Sequence, residues 1–388
     1  MVHDHGLENV LVLQGGGSLG AFSCGVFKAF AERGVKIDII GGTSIGGVNA
    51  AIIAGSKHRR PEAALEEFWM ELAKNSVDLE SFWPSALSSN DNGSNYGPYY
   101  EKANISLRHA LTFYSSAAYG NNKMFLPRWM PEYATKDSQY FRPDRWTYIY
   151  DHSPLASTLE KYIDYDKLRP GGKNPNARLI VTGVNVLTAE PLTFDSMRQP
   201  ITAKHLLGIA GYPLYGFPWV EVEKGLYVWD GSLLSNTPLR EVIDASPIVD
   251  KRVFIVENYP KKIPRLPQNL LEVGHRARDI MFSDKTAHNI KMSKTITRYL
   301  MFIEELYEIV ESKVDPAKLD KQKWDKIQRK YKMMLKDRGS AIKKIAYITR
   351  EERFPYLYEN TDFSREGIRN LIMEGESKAK QALQEVGL

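Results

Sequence analysis

Cysteine is almost missing. Cys24 stands alone in 388 residues, so no internal disulfide framework staples this chain, and a reducing compartment is expected. Long apolar runs are missing as well: no stretch reaches the roughly 18 uncharged apolar residues that a spanning helix needs. The leading "MVHDHGLENV" lacks the basic segment and apolar run of a secretory signal. A cytoplasmic protein is expected, with a membrane surface as its candidate peripheral contact. Charge of one sign is also scarce. The net +5 comes from Lys and Arg mixed with acids, which gives no sign of a nucleic-acid partner and suits an anionic surface or substrate. Nothing in the composition sets the oligomeric state.

What is present reads as an α/β protein. Residues 9–14 form a short apolar run ending in glycines, and 19–33 carry Leu19, Phe22, Val26, Phe27 and Phe30 on one helical face. "VKIDII" predicts a second strand, "GGTSIGG" a tight turn, and "IGGVNAAIIAG" a small-residue helix. Strand, helix, strand, helix at this spacing implies a mostly parallel sheet covered on both faces. From 81 to 154 the texture turns irregular and aromatic, with Trp83, Tyr99, Tyr100, Phe113, Phe125, Trp129 and Trp146. That segment is either a surface excursion with its own small core or a cap over an apolar pocket. Further β-rich runs follow at "ARLIVTGVNVLTAEPLTFDS", "LYVWDGS" and "KRVFIVEN". Beyond 268 the pattern is mostly helical, with a late strand at "AIKKIAYITRE" and a last helix over 364–386 opened by Ser364. Lys-rich 315–338, interleaved with Trp324 and Tyr331, reads as a solvated face or as a lipid contact.

Two turns carry chemistry. "Gly42-Thr43-Ser44-Ile45-Gly46" is G-x-S-x-G between a β-branched strand and a helix, the setting in which the motif makes a nucleophile elbow. Gly42 and Gly46 let the chain crowd together, and the helix aims its free N–H groups at the serine. The plainer reading is an ordinary βα turn capped by Ser44. A serine hydroxyl needs a base, yet none of the eight histidines sits in a recognisable catalytic setting. Asp230 ends the run "LYVWD" before Gly231. Strand-end turns of such sheets gather at the carboxyl edge, so Asp230 is a candidate base beside Ser44, or simply a turn residue. Cys24, one turn into the first helix, reads as a small core residue.

The glycine cluster "QGGGSLG" also fits G-x-G-x-x-G, a dinucleotide fingerprint. That use needs an acid ending the next strand to hold a ribose, and "IIGGTSIGG" has none. No G-x-x-x-x-G-K-[ST] occurs either. The backbone N–H groups of Gly16, Gly17 and Ser18, at the mouth of a helix, suit instead the transient oxyanion of acyl transfer. No cofactor is called for, and no metal, since no carboxylate-rich loop is evident.

Three marks in order, "GGGSLG" at 15–20, "GTSIG" at 42–46 and "DG" at 230–231, together with "FPWVEV…WDGSLLSNTPL", resemble the patatin-like phospholipase family over about residues 9–258. The tail, with "ARDIMFSDKTAHNIK" and "DFSREGIR", resembles a bacterial branch with a carboxy-terminal extension. The resemblance implies a three-layer α/β/α fold and a Ser44–Asp230 dyad acting on lipid acyl esters. It also implies an oxyanion loop of Gly15, Gly16, Gly17 and Ser18. Where many members have Asp-Gly-Gly or Asp-Gly-Ala, this chain has Asp230-Gly231-Ser232, and Leu19 stands where many carry Arg or Lys. The expected organisation is a catalytic domain over 1–265, with a cap at 81–154, and a mainly helical extension over 266–388. The expected function is a serine acyl hydrolase of phospholipids or lysophospholipids. The alternatives are an esterase or thioesterase for soluble acyl compounds and a non-catalytic lipid-binding protein.

Overall fold

Alternation within buried strands builds the middle layer. In β1 (Glu8–Leu13), Leu11 and Leu13 join one apolar cluster while Val10 and Val12 join another on the opposite face, the period of two that a sheet covered on both sides imposes. The computed structural model describes residues 7–77, 111–173, 175–245, 249–283, 286–313, 320–337, 342–352 and 359–388. Trp83, Tyr99 and Tyr100 of the aromatic segment, and the residues around them up to 110, lie outside these.

β1 continues through a glycine-rich turn into α1 (Gly20–Glu32). β2 (Ile39–Thr43) passes directly into α2 (Ile45–Ala54), and α3 (Pro61–Lys74) follows. The expected second strand therefore begins later than "VKIDII" suggests. A short helix, α4 (Ser153–Tyr162), leads to β3 (Arg178–Asn185) and β4 (Pro191–Asp195), then α5 (Ala203–Ala210). β5 (Val220–Glu223), β6 (Leu226–Asp230), α6 (Leu239–Ala245) and β7 (Lys251–Glu257) complete the first 265 residues.

Beyond them come α7 (Leu270–Phe282), α8 (Thr286–Lys313), α9 (Lys321–Asp337), β8 (Ile342–Thr349) and α10 (Arg365–Glu385). The sheet order is β8-β7-β1-β2-β3-β6-β5, with β4 also pairing β3. The five strands from β8 to β3 are parallel; β4, β6 and β5 join antiparallel. The larger apolar cluster packs α1, α2, α3 and α10 on one face, and the smaller holds Leu239 and Val242 of α6 on the other. This is the three-layer α/β arrangement expected from the sequence. Among the described residues no helix is long and apolar enough to cross a membrane.

The chain end is woven into this core. β8 extends the sheet at β7, and α10 lies against α1 so closely that a Cβ on Gly25 would overlap the Ile372 carbonyl and one on Gly375 the Phe22 carbonyl. In α9, Trp324 and Tyr331 stack on Tyr307 of α8, at ring-centroid distances of 5.3 and 3.9 Å. Two of the aromatics in the Lys-rich segment thus close a helix pair. The α1–α10 crossing generates a stability test. Gly25→Ala should cost about 2 kcal/mol or more by forcing the helices apart, read as a clear fall in denaturation midpoint. A midpoint equal to wild type would mean that the two helices do not pack this tightly.

Candidate active site

Ser44 occupies the single residue between β2 and α2, at φ 55° and ψ −132°. Such a conformation costs an L-residue about 1–3 kcal/mol and persists only where its surroundings impose it. They do so sterically. A Cβ on Gly46 would overlap the Leu13 carbonyl, and one on Gly42 would overlap Gly46 itself. With both positions bare, α2 starts hard against the end of β1, and the serine is thrown clear of the sheet at the helix amino terminus.

The glycine loop lies alongside. A Cβ on Gly15 would sit 3.0 Å from the Ser44 Cβ and 2.5 Å from Asn236 Oδ1, so the loop passes directly over the elbow. Gly17, at φ 58°, opens a short 3₁₀ turn over Gly17–Leu19 that feeds α1. Backbone N–H groups at such a start have no acceptor in their own helix. Polar side chains at strand ends hold the loop from below. Asn258 Nδ2 donates to the Gln14 and Gly15 carbonyls, both at 3.1 Å. Gln14 Oε1 accepts from Asn258 N at 2.7 Å, and Gln14 Nε2 donates to Thr237 Oγ1 at 2.9 Å. Leu19 packs with Tyr212, Tyr259 and Phe282, which line the same cavity.

Register brings the acid in. Thr43 of β2 pairs with Thr182 of β3, and the next residue of β3, Gly183, pairs with Asp230 of β6. Ser44 and Asp230 therefore stand level across one intervening strand, about 10 Å apart in backbone terms. Asp230 does not arrive as the end of a parallel strand: β6 is antiparallel, enters from the carboxyl edge and delivers its last residue to this level. The carboxyl is buried, at 1% exposure. Oδ1 accepts from Ser232 N at 2.8 Å. Oδ2 has no partner of good hydrogen-bond geometry among the described residues, and the Ser44 hydroxyl beside it favours the charged form. Contacts of this kind commonly tighten only when substrate binds. Burial outweighs both serines and pushes the Asp230 pKa up to about 6. The Ser232 hydroxyl donates to Asn236 Oδ1 at 2.9 Å.

Gly16, Gly17, Ser44 and Asp230 meet on the wall of one cavity of about 620 Å³, with Phe113, Phe125, Tyr150, Leu155 and Phe217 as apolar lining. Gly15, Ser18, Gly42 and Gly46 stand just behind that wall. His152 also lines it, yet its Nε2 is committed to the Leu207 carbonyl at 2.8 Å, and burial holds its pKa below the usual range. His205 caps its own helix by accepting from Thr202 N at Nδ1. Cys24 is fully buried, and burial pushes its thiol pKa far up, which leaves it a core residue. Sequence reasoning passed over Gln14, Asn236 and Asn258. For Gln14 and Asn258 the available signal was an amide just past a buried strand, where a packed strand has no use for one; Asn236, in the loop before α6, carried none.

An α/β sheet with a strained serine elbow, a bare glycine loop and a buried carboxyl defines a recognisable class. The family model described as patatin-like phospholipase matches residues 11–243, and the chain belongs to that family. Lysophospholipase NTE1 of Coccidioides immitis is 30% identical over 190 residues, 46% of this chain and 11% of that protein. Lysophospholipase nte1 of Aspergillus terreus is 59% identical over 44 residues, 11% of this chain and 3% of that one. The chain thus spans only a small part of the curated relatives it matches. Among solved structures, VipD from Legionella pneumophila aligns with 98% of this chain and 67% of its own, at 15% identity and a TM-score of 0.38. ExoU of Pseudomonas aeruginosa, in its complex with SpcU, aligns with 98% and 51%, at 14% identity and 0.37.

The elevated carboxyl makes two linked predictions. If Asp230 takes the Ser44 proton, kcat/KM on a soluble ester rises with pH along an acid limb centred at about 6. Stability runs the other way, because the folded-state pKa lies above the unfolded one. The protonated carboxyl's contribution is complete below the ordinary carboxylate range and is lost as pH rises through about 6, on the order of 3 kcal/mol. Asp230→Asn should therefore melt at or above wild type near pH 8. A flat rate profile through about pH 6, or a variant that melts well below wild type, would contradict this placement of the acid.

Proposed function

We propose that the protein is a serine acyl hydrolase that cleaves fatty-acyl esters of phospholipids or lysophospholipids. The single observation that carries the reading is the meeting of the Ser44 elbow, the buried Asp230 and the Gly16–Gly17 backbone on one apolar cavity wall. Asp230 accepts the hydroxyl proton as Ser44 Oγ adds to the acyl carbonyl carbon. The oxyanion that forms is held by the N–H groups of Gly16, Gly17 and Ser18, with Gly15 completing the loop. Collapse expels the alcohol, which takes the proton back from Asp230 and leaves acyl-Ser44. A water then gives its proton to Asp230, attacks the acyl carbon and releases the fatty acid, and Ser44 regains the proton.

Family membership and lysophospholipase relatives support lipid ester hydrolysis. The cavity supports a long acyl group, since aromatic and aliphatic side chains dominate its lining. Phe113, Phe125 and Tyr150 come from the 81–154 insertion, in keeping with a cap. Leu214 and Met281, both largely exposed and both on the cavity lining, favour a peripheral contact with a lipid surface, as a cytoplasmic enzyme on a membrane substrate requires. The chain organisation proposed is a catalytic unit over 1–265 whose sheet and loop are completed by the extension. A soluble acyl ester or thioester remains the second substrate reading, and intact Ser44 and Asp230 speak against a non-catalytic lipid binder.

Covalent labelling by a fluorophosphonate tests the nucleophile. Wild type should label and Ser44→Ala should not, with turnover of lysophosphatidylcholine down at least about a thousandfold. A folded wild type that resists labelling sinks the proposal. Asp230→Asn should keep its fold and lose turnover by about a hundredfold or more; near-normal turnover would transfer the base role to His152. Faster cleavage of acyl-CoA than of lysophospholipid would select the soluble-substrate reading.

A further inference from the structure

The loop that faces the oxyanion is held from one side by Asn258 and from the other by the far end of the chain. Ser18 Oγ donates to the Glu359 carbonyl at 2.9 Å, and Gly17 runs so close to the next residue that a Cβ there would overlap the Asn360 carbonyl. Ser116 of the insertion donates to the Thr361 carbonyl, also at 2.9 Å. Glu359–Thr361 is a single 3₁₀ turn. So short a turn has little rigidity of its own.

Its rigidity comes from two buried guanidiniums. Arg278 Nη2 and Arg350 Nη2 both donate to Glu359 Oε1 at 2.8 Å. Arg278 also donates to Asp279 Oδ1 at 2.7 Å. Arg350 spans both supports of the loop: its Nε donates at 2.8 Å to the carbonyl of Asn258, the residue that holds Gly15. Arg278, Arg350 and Glu359 are 7%, 6% and 3% exposed, so water competes little for these bonds.

His275, Asp279, Glu352 and Glu359 approach within 4.8 Å of one another, a spacing that a cation could also use. Two guanidiniums already face those three carboxylates and supply the positive charge a divalent ion would bring. His275 Nε2 hydrogen-bonds Glu352 Oε1 at 2.5 Å within the same cluster. The cluster is therefore an ion-pair network whose product is a fixed position for Glu359.

We infer that Arg350, with Arg278 behind it, is a positioning residue for the oxyanion loop: it holds the Glu359 carboxylate and the Asn258 carbonyl, and through those two residues the direction of the Gly17 and Ser18 N–H groups. The inference rests on the acyl-hydrolase reading above. Arg350 does not line the cavity and touches no reacting atom, so its influence falls on the transition state and leaves ground-state binding alone.

The experiment compares full-length wild type, Arg350→Gln, Arg350→Lys and Ser18→Ala on a soluble short-chain ester. Two inhibitors of the same chain length accompany it: a trifluoromethyl ketone, which places an oxyanion in the loop after Ser44 adds to it, and the corresponding unreactive amide. Arg350→Gln should lower kcat roughly 10- to 100-fold with KM within about twofold. Ketone affinity should fall by the same factor as kcat while amide affinity holds. Arg350→Lys should recover part of the loss by restoring the charge.

Should Arg350→Gln fail to fold, Ser18→Ala cuts the link to Glu359 without unpairing any charge and should show the same split between ketone and amide. Wild-type ketone affinity in a folded Arg350→Gln, or in Ser18→Ala, overturns the inference. So does an equal loss of ketone and amide binding, which marks a merely structural role. The fluorophosphonate control separates the two levels. A wild type that does not label overturns the hydrolase reading and the positioning role together, whereas a wild type that labels while Arg350→Gln labels equally fast overturns the positioning role alone.

Discussion

The arrangement depends on a contact between two backbones with no side chain between them. α2 leaves β2 so tightly against the end of β1 that position 46 has room only for hydrogen, its Cα facing the Leu13 and Gln14 carbonyls. Everything nearby follows from that approach. The chain turns from strand to helix within one residue, which forces Ser44 to positive φ. The start of α2 and the glycine turn before α1 converge on the same point, and two helix amino termini bring unpaired N–H groups there. A larger residue at 46 would separate the strand ends and dissolve both features together.

The same convergence bears on why an aspartate suits the base role proposed for Asp230. A carboxylate in water is too weak to take a serine proton. Here burial drives the Asp230 pKa upward, while the Ser44 hydroxyl and the Ser232 N–H and hydroxyl restrain it. Helix termini offer a further stabilisation of negative charge, at most about 2 kcal/mol in partly buried geometries. Desolvation is the larger effect, and the balance lands at about 6, basic enough to accept a proton and still ionised near neutrality. Histidine is not needed for that balance. Among the described residues, His152 is the imidazole on the cavity wall, and its Nε2 is committed to a backbone carbonyl.

What was legible in the sequence is what is local. Gly42 to Gly46, the 15–20 glycines and Asp230-Gly231 each declare a turn by residue type alone, and the α/β layering follows from the spacing of apolar runs. The direction of β6 was not legible, because antiparallel entry is set by pairing with β3 far upstream and leaves no mark on "LYVWD" itself. Gln14 and Asn258 were visible only as polar residues after buried strands and Asn236 only as a loop residue, and their meeting depends on three distant segments folding to one edge. Nothing in "ENTDF" announces that Glu359 will reach Ser18. That contact spans most of the chain and is settled by the docking of α10 on α1 and of β8 on β7.

This last placement reframes the carboxy-terminal extension. A loop of three successive glycines is the most entropic element a site can contain, and ordering each backbone unit costs on the order of 1–2 kcal/mol. Residues 15–17 cannot supply that order from within, since glycines carry no side chains to pack. It is supplied by neighbours: Asn258 from the end of β7, Asn236 from the loop before α6, and Glu359 and Asn360 from the extension. The first two lie beside the sheet edge that carries Ser44. The others reach the loop only because the chain, after two long helices, returns to add β8 at the sheet edge and then lays α10 along α1. The bareness that suits the loop to the oxyanion role proposed for it is thus what makes it dependent on a segment more than three hundred residues away.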